Sequence, residues 1–318
     1  MKLLIRENTL LVVTSLLMIG LLLSGCSAEE DKAKEVVIAE QYGLAYAPLV
    51  VMRELKFLEA ELDENYTVRW EKLGNTAAIR EAMLSDHLDI GFMGIPPFLI
   101  GVDQGMEWRI MSGLTVSPLG LMTNDPTITT LEALKDQGKI ALPQPGSIQH
   151  ILLAMAAEEN FGDAKYFDHQ LISMKHPEGY QTLMTSDEVV AHFTSPPYIF
   201  QEQEEGTLYQ LLSGEEAFGG EFSFIVGVCG EEFRSDEVAY KAFQEALKAS
   251  ISYMKSHEEA SIELLSTYYE LSEAVTRDYI YEHGISYDME VHGLDTFSSF
   301  MYGTDYIKSS YEEEGLLW

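Results

Sequence analysis

The sequence predicts an α/β fold built as two similar blocks, and three observations carry the prediction. Short apolar runs alternate with amphipathic stretches from Val36 onward. The alternation restarts near Thr129, and the loops between the two kinds of segment open on Gly, Pro, Ser or Asn. Strands that alternate with helices call for largely parallel sheets, because a parallel neighbour is reached through a helical crossover.

In order along the chain, Val36 to Ala39 reads as a strand and Pro48 to Leu58 as helix. Tyr66-Thr67-Val68-Arg69-Trp70 alternates as a half-buried strand. Asn75 caps a helix through Leu84, with Ala78, Ile79, Ala82 and Met83 on one face. Leu88 to Met93 and Arg109 to Leu114 are strands, with a short helix from Pro97 to Val102 between them. In the second block Thr129 and Glu132 have the spacing of a capping box. Ile140 to Leu142, Leu171 to Met174 and Val189 to Phe193 are strands. After the first of these, Ile148, Ile151, Leu152 and Met155 fall at i, i+3, i+4 and i+7, the stripe of a core-facing helix. The last third differs: Val238 to Tyr281 is mostly helical, with a second capping box at Ser256 and Glu259. No short-period repeat or low-complexity tract interrupts the pattern.

The N-terminus belongs to targeting rather than to the fold. Lys2 and Arg6 make a basic region, and an apolar stretch runs from Leu10 to Leu23, too short for a membrane span of roughly twenty residues. It ends in Leu23-Ser24-Gly25-Cys26, the pattern of a bacterial lipobox. Residues 1–25 are therefore a lipoprotein signal peptide, and Cys26 is the lipid attachment point, holding the protein to the outer face of the cell membrane. The small, charged stretch through residues 26–34 is a tether. Cys229, the other cysteine, is left without a disulfide partner and sits in an apolar run, as a buried structural thiol would.

Composition narrows the partners. An apolar content of 46% can build a core. A formal charge of −32 repels nucleic acid and anionic head groups, which excludes both as partners of the globular part. The acids are spread along the chain, as on a solvated exterior. The eight histidines have no paired-ligand spacing, so no metal site and no cofactor is expected. No Walker loop, G-x-G-x-x-G or G-x-S-x-G follows a strand.

In open α/β sheets ligands lie beyond the carboxyl ends of the strands, where loops meet helix N-termini. That rule selects Gln41, Tyr42 and Tyr46 after the first strand, Asn75 and Thr76 after the second, and Gly94 and Ile95 after the third. In the second block it selects Ser147, Gln149 and His150, then His176 with Glu178, then Thr194 and Ser195. The mouth at Ser147 is the most developed. Gly146 admits close approach to the backbone, and unpaired N–H groups and the helix dipole favour an anionic or carbonyl-like group there. Ser147 can equally be a plain N-cap, which leaves Gln149 and His150 unexplained.

These stretches resemble the nitrate/sulfonate/taurine-type substrate-binding proteins of ABC importers, a family that also includes binders of thiamine-pyrimidine precursors. The resemblance is carried by Ala78-Ile79-Arg80-Glu81-Ala82-Met83-Leu84 through Leu88-Asp89-Ile90-Gly91-Phe92-Met93-Gly94, by Gly138-Lys139-Ile140-Ala141-Leu142 to His150, and by Val190-Ala191-His192-Phe193-Thr194-Ser195-Pro196-Pro197. It implies a type II periplasmic-binding-protein fold: two α/β lobes with a ligand cleft between them. Lobe I would comprise residues 35–117 and, mostly helical, 222–318; lobe II would be 118–221. The chain would cross near Ser117 to Leu119 and return near Gly220 to Phe224. The implied function is a non-catalytic receptor that delivers a small solute to an ABC permease and its ATPase. The cleft loops contain no arginine, which sets this chain apart from receptors that clamp a sulfonate or carboxylate bidentately and admits a planar heterocycle. An enzyme of the same fold using His176 or His192, and an interaction protein whose cleft is filled by Tyr42 and Tyr198, are the alternatives.

Overall fold

A computed structural model describes residues 33–318. The expected signal peptide, the expected lipid site at Cys26 and nearly all of the expected tether lie outside the described residues. Ten strands form two five-stranded sheets. They are β1 Lys34–Glu40, β2 Tyr66–Lys72, β3 Ile90–Met93, β4 Trp108–Thr115, β5 Gly120–Thr123, β6 Lys139–Leu142, β7 Leu171–Ser173, β8 Val189–Thr194, β9 Tyr209–Ser213 and β10 Ile225–Gly230. Sheet one has the order β2-β1-β3-β10-β4 and sheet two β7-β6-β8-β5-β9.

In each sheet three neighbouring strands are parallel and a fourth runs against them. Thus β2-β1-β3 and β7-β6-β8 are parallel, whereas β10 is antiparallel to β3 and β4, and β5 to β8 and β9. The sheets are mixed, which corrects the expectation of largely parallel ones. The physical reason lies in connectivity. β5 and β10 are the strands that the chain enters directly from the other sheet, between Thr115 and Gly120 and between Ser213 and Ile225, so neither is reached by a helical crossover within its own sheet.

The helices are α1 Ala47–Glu54, α2 Phe57–Glu61, α3 Thr76–Leu84, α4 Ile95–Asp103, α5 Leu131–Leu134, α6 Ile148–Phe161, α7 His176–Thr185, α8 Tyr198–Glu204, α9 Gly214–Phe218, α10 Glu231–Ser235, α11 Glu237–Ser256, α12 Glu258–Tyr269, α13 Glu273–Arg277, α14 Leu294–Gly303 and α15 Glu313–Leu316, with a π-helical turn at Asp278–Glu282. The helix expected from Pro48 to Leu58 is two helices, broken where Lys56 takes a left-handed conformation (φ 55°). α11 packs on α1 and α2, and α15 on β4, so the C-terminal third covers sheet one. Both capping boxes shift. Thr130, not Thr129, caps α5 by accepting the Ala133 N–H. Ser256 is still inside α11, its hydroxyl donating to Ser252 O.

The strand interiors make the core: Ile38, Ala39, Ile90, Phe92, Met93, Leu121, Ile140, Ala141, Leu142 and Phe193 are all fully buried. Of the predicted stripe on α6, Ile148, Ile151 and Leu152 are buried and Met155 partly so. Cys229 is buried and unpaired, and burial pushes its thiol up to about 12, as expected of a structural thiol.

Candidate functional site

The turn before α6 is built by the residues that the sequence singled out. Gly146 takes a positive φ of 81°, which a side chain would strain. Its N–H donates to His150 Nδ1 at 2.9 Å, so the proton of that imidazole lies on Nε2, which meets Asp168 Oδ1 at 3.1 Å. Ser147 Oγ accepts the His150 N–H. Ser147 is thus an N-cap and His150 a brace for the turn. Of the three polar residues at this mouth, Gln149 alone has no part in holding the turn, and the N–H groups of Ile148 and Gln149 remain at the helix start.

Gln149 begins a chain of side chains across the carboxyl ends of sheet two. Its Nε2 lies 3.2 Å from His176 Nε2 at the first turn of α7. His176 Nδ1 lies 3.1 Å from His192 Nε2 on β8. His192 Nδ1 lies 2.6 Å from Glu202 Oε1 on α8. His192 and Glu202 are fully buried and His176 is partly buried, with the Tyr198 ring stacked on it at 6.2 Å. Two buried oxygens at this end are without hydrogen-bond partners, Glu202 Oε2 and Thr194 Oγ1.

Sheet one contributes from the other side. Gln41 Nε2 donates to Phe92 O at 3.1 Å and to Thr76 Oγ1 at 3.3 Å, which joins the ends of β1, β2 and β3. The two sheets meet at these mouths. A Cβ on Gly94, at the start of α4, would come within 3.4 Å of Ile148 Cβ, and one on Gly43 within 3.3 Å of Pro196 O. Gly94, Ile95, Thr194 and Ser195 are all buried at this junction.

Three predicted residues stand apart. Tyr42 is 69% exposed beneath Lys72 Nζ, 4.4 Å from its ring, so it does not fill the cleft. Tyr46 is core, its phenol raised well above the ordinary range by burial and then by Glu40. Asn75 is exposed and caps α3 by accepting the Ala78 N–H at 2.9 Å. A cavity of about 450 Å³ lies elsewhere, lined by Glu54, Ala260, Glu263, Leu264, Thr267 and Tyr268, with no predicted site residue among them. Among the described residues no group of three potential ligands is placed to hold a metal.

Neither a family model nor a curated protein matches the chain. Solved structures do. The alkanesulfonate-binding protein SsuA from Xanthomonas axonopodis pv. citri, bound to MOPS, superposes with a TM-score of 0.74 at 15% identity over 90% of this chain and 99% of that one. The periplasmic aliphatic sulphonate binding protein SsuA from Escherichia coli gives 0.70 at 17% identity over 90% and 92%. A Candida albicans protein described as having the generic periplasmic binding protein fold gives 0.69 at 14% identity over 89% and 96%. The chain has the periplasmic-binding-protein fold.

Within that fold the electrostatics of the sheet-two chain are set by burial. Glu202 is pushed up to about 9 by burial, with the Thr194 hydroxyl working against the rise. His192 is drawn down to about 3 by burial, and His176 well below its ordinary range by burial and then by His192. Burial thus pushes all three groups toward their neutral forms. Glu202 was not legible as a site residue, since Glu202 follows His192 by ten positions with a loop and a helix turn between them. The only signal was alternation on β8, which puts Val190, His192 and Thr194 on one face.

Proposed function

We propose that this protein is an extracytoplasmic solute-binding receptor of an ABC importer, holding a small molecule between two lobes and delivering it to a permease and its ATPase. Lobe I is residues 35–117 with 222–318, lobe II is 118–221, and lipid on Cys26 tethers the whole to the membrane. The observation that carries this reading is the meeting of helix mouths from the two sheets, with Gln41 and Thr76 on one side and Gln149 and His176 on the other. Similarity in fold to sulfonate-binding proteins supports it.

The solute is a small sulfonate- or nitrate-like anion or a planar heterocycle. Its hold rests on amide and imidazole hydrogen bonds and on the start of α6, because none of these contacts comes from arginine or lysine and burial favours the neutral form of both imidazoles. Binding is favoured over catalysis because both ring nitrogens of His176 and of His192 already face a partner, leaving neither free as a base.

A thermal-shift screen against alkanesulfonates, nitrate, bicarbonate and pyrimidine-like heterocycles tests the proposal. A solute at a hundred times its dissociation constant adds about 2.7 kcal/mol, a rise of several degrees. That rise should disappear in Gln149→Ala and in Gln41→Ala, one from each side. No response to any of the panel would count against a receptor for these solute classes.

A further inference from the structure

We propose that Glu202, through His192 and His176, sets which end of the Gln149 amide faces the cleft, and that at neutral pH it makes Gln149 present its NH2 group to an acceptor atom of the solute. The last clause rests on the receptor reading above.

The inference follows from counting protons along four groups. With neutral imidazoles, each ring has one N–H and one lone pair, and the hydrogen bond at one nitrogen fixes the tautomer at the other. If Glu202 is protonated, its O–H donates to His192 Nδ1, His192 Nε2–H donates to His176 Nδ1, and His176 Nε2–H needs an acceptor. The group beside that nitrogen is the Gln149 amide, whose Oε1 is its acceptor, so the NH2 group turns outward. If Glu202 is ionised, every bond reverses: His192 Nδ1–H donates to the carboxylate, His176 Nδ1–H to His192 Nε2, and the Gln149 NH2 to His176 Nε2. The carbonyl then faces the cleft. The two ends of an amide exchange by a half-turn, so the proton count selects between them. The arrangement with Gln149 Nε2 toward His176 is that of the ionised chain.

Three features favour the neutral chain. Glu202 Oε2 is buried without a hydrogen bond of good geometry, which is far costlier for a carboxylate than for a carboxylic acid. The Thr194 hydroxyl, the one group that favours the charged form, does not offset that burial. Among the described residues no lysine or arginine bonds Glu202, His192 or His176. The elements packed against α8 are α7 with His176, Glu178 and Tyr180, β8 with His192, β9 with Tyr209, β5 without a titratable group, and the segment bearing Tyr279 and His283. None of these carries lysine or arginine, and α8 itself adds Tyr198 and Glu204. Of these titratable groups only His192 hydrogen-bonds the Glu202 carboxyl, and the neutral Thr194 hydroxyl of β8 is beside it. The raised pKa of Glu202 and the depressed ones of both histidines agree.

Imidazole 15N NMR of histidine-labelled protein reads this directly, with assignments from His176 and His192 variants. Near pH 7 both rings are expected as neutral Nε2–H tautomers, changing together to Nδ1–H as pH rises through about 9, and Glu202→Gln is expected to abolish the change. Nδ1–H tautomers at pH 7, or an imidazolium at His192, would overturn the proposal. Ethanesulfonate, an acceptor-only probe, should bind about tenfold more weakly at pH 10 than at pH 7.5, and equally at both in Glu202→Gln. The tautomers need no solute. If they behave as expected while ethanesulfonate fails to bind at either pH, the sulfonate class is rejected and the relay stands.

Discussion

Gly179 shows how tightly the relay is packed. A Cβ at this position in α7 would lie 2.7 Å from His192 Nε2 and within 3.0 Å of two ring carbons. Alanine favours a helix over glycine by about 1 kcal/mol, but forcing a methyl group into a filled site costs about 1–3 kcal/mol. Displacing the ring also strains its bonds to His176 and Glu202. The balance predicts that Gly179→Ala destabilises the protein, read as a lower denaturant midpoint with unchanged slope. A gain in stability would mean that the His192 ring has room to move.

The same buried groups shape stability against pH. Between about 4.5 and 9 the folded chain keeps a proton on Glu202 that the unfolded chain releases, so this group's contribution falls as pH rises through that window. His192 works in the opposite sense. Between about 6.5 and 3 it is neutral when folded and charged when unfolded, so its contribution is lost as pH falls. Above pH 6.5 Glu202 acts without that opposition. The stability of Glu202→Gln relative to the unaltered protein is therefore expected to improve steadily from pH 6.5 to 9 in denaturant titrations. A constant difference across that range would show that Glu202 is already ionised.

At the scale of elements, local chemistry separates residues that hold the loops from residues free to hold a solute. Asn75 and Ser147 were selected as site residues because they stand at helix mouths, and both are caps there. Replacing a cap by alanine costs about 1 kcal/mol. Asn75→Ala should accordingly lower stability by about that amount and leave solute affinity unchanged, whereas Gln41→Ala should lose affinity with a smaller loss of stability. The reverse result would return Asn75 to the binding site and remove Gln41 from it. Pattern made β1, β2, β6, β8 and α6 legible, and the switch-point rule selected Gln149 and His176, which the fold brings within 3.2 Å of one another. What stayed hidden depended on long-range connectivity. Nothing within Gly120-Leu121-Met122-Thr123 or Ile225–Gly230 encodes that these strands run antiparallel, because direction follows from where the chain has come from. The capping boxes failed for a local reason, since an S/T-x-x-E spacing does not say whether the helix begins there or is already running.

At the scale of the molecule, closure and charge oppose one another. Beyond the helix mouths, the halves are joined by Tyr279 Oη donating to Glu204 Oε1 at 3.1 Å, by the Phe200 and Tyr279 rings at 5.0 Å, and by Tyr306 Oη donating to Ala164 O at 3.3 Å. Further aromatic contacts join them, Phe218 with Phe297 at 4.8 Å and His150 with Tyr306 at 5.3 Å. The junction is a mixture of ring contacts and single hydrogen bonds, the kind that permits lobes to move relative to one another. Against them stands a formal charge of −32. Like charges on facing surfaces repel across a range of about 30 Å at 0.01 M salt but only about 10 Å at 0.1 M. Low salt should therefore favour separation of the lobes, and added salt or solute the closed arrangement. Small-angle X-ray scattering is expected to give a larger radius of gyration at 0.01 M salt than at 0.3 M, with a bound solute removing the difference. Tyr279→Phe, which deletes one bridging bond without adding charge, should widen it. A radius that ignores salt, solute and this substitution would mean that the interface is rigid, and a solute would then have to enter a cleft that does not open.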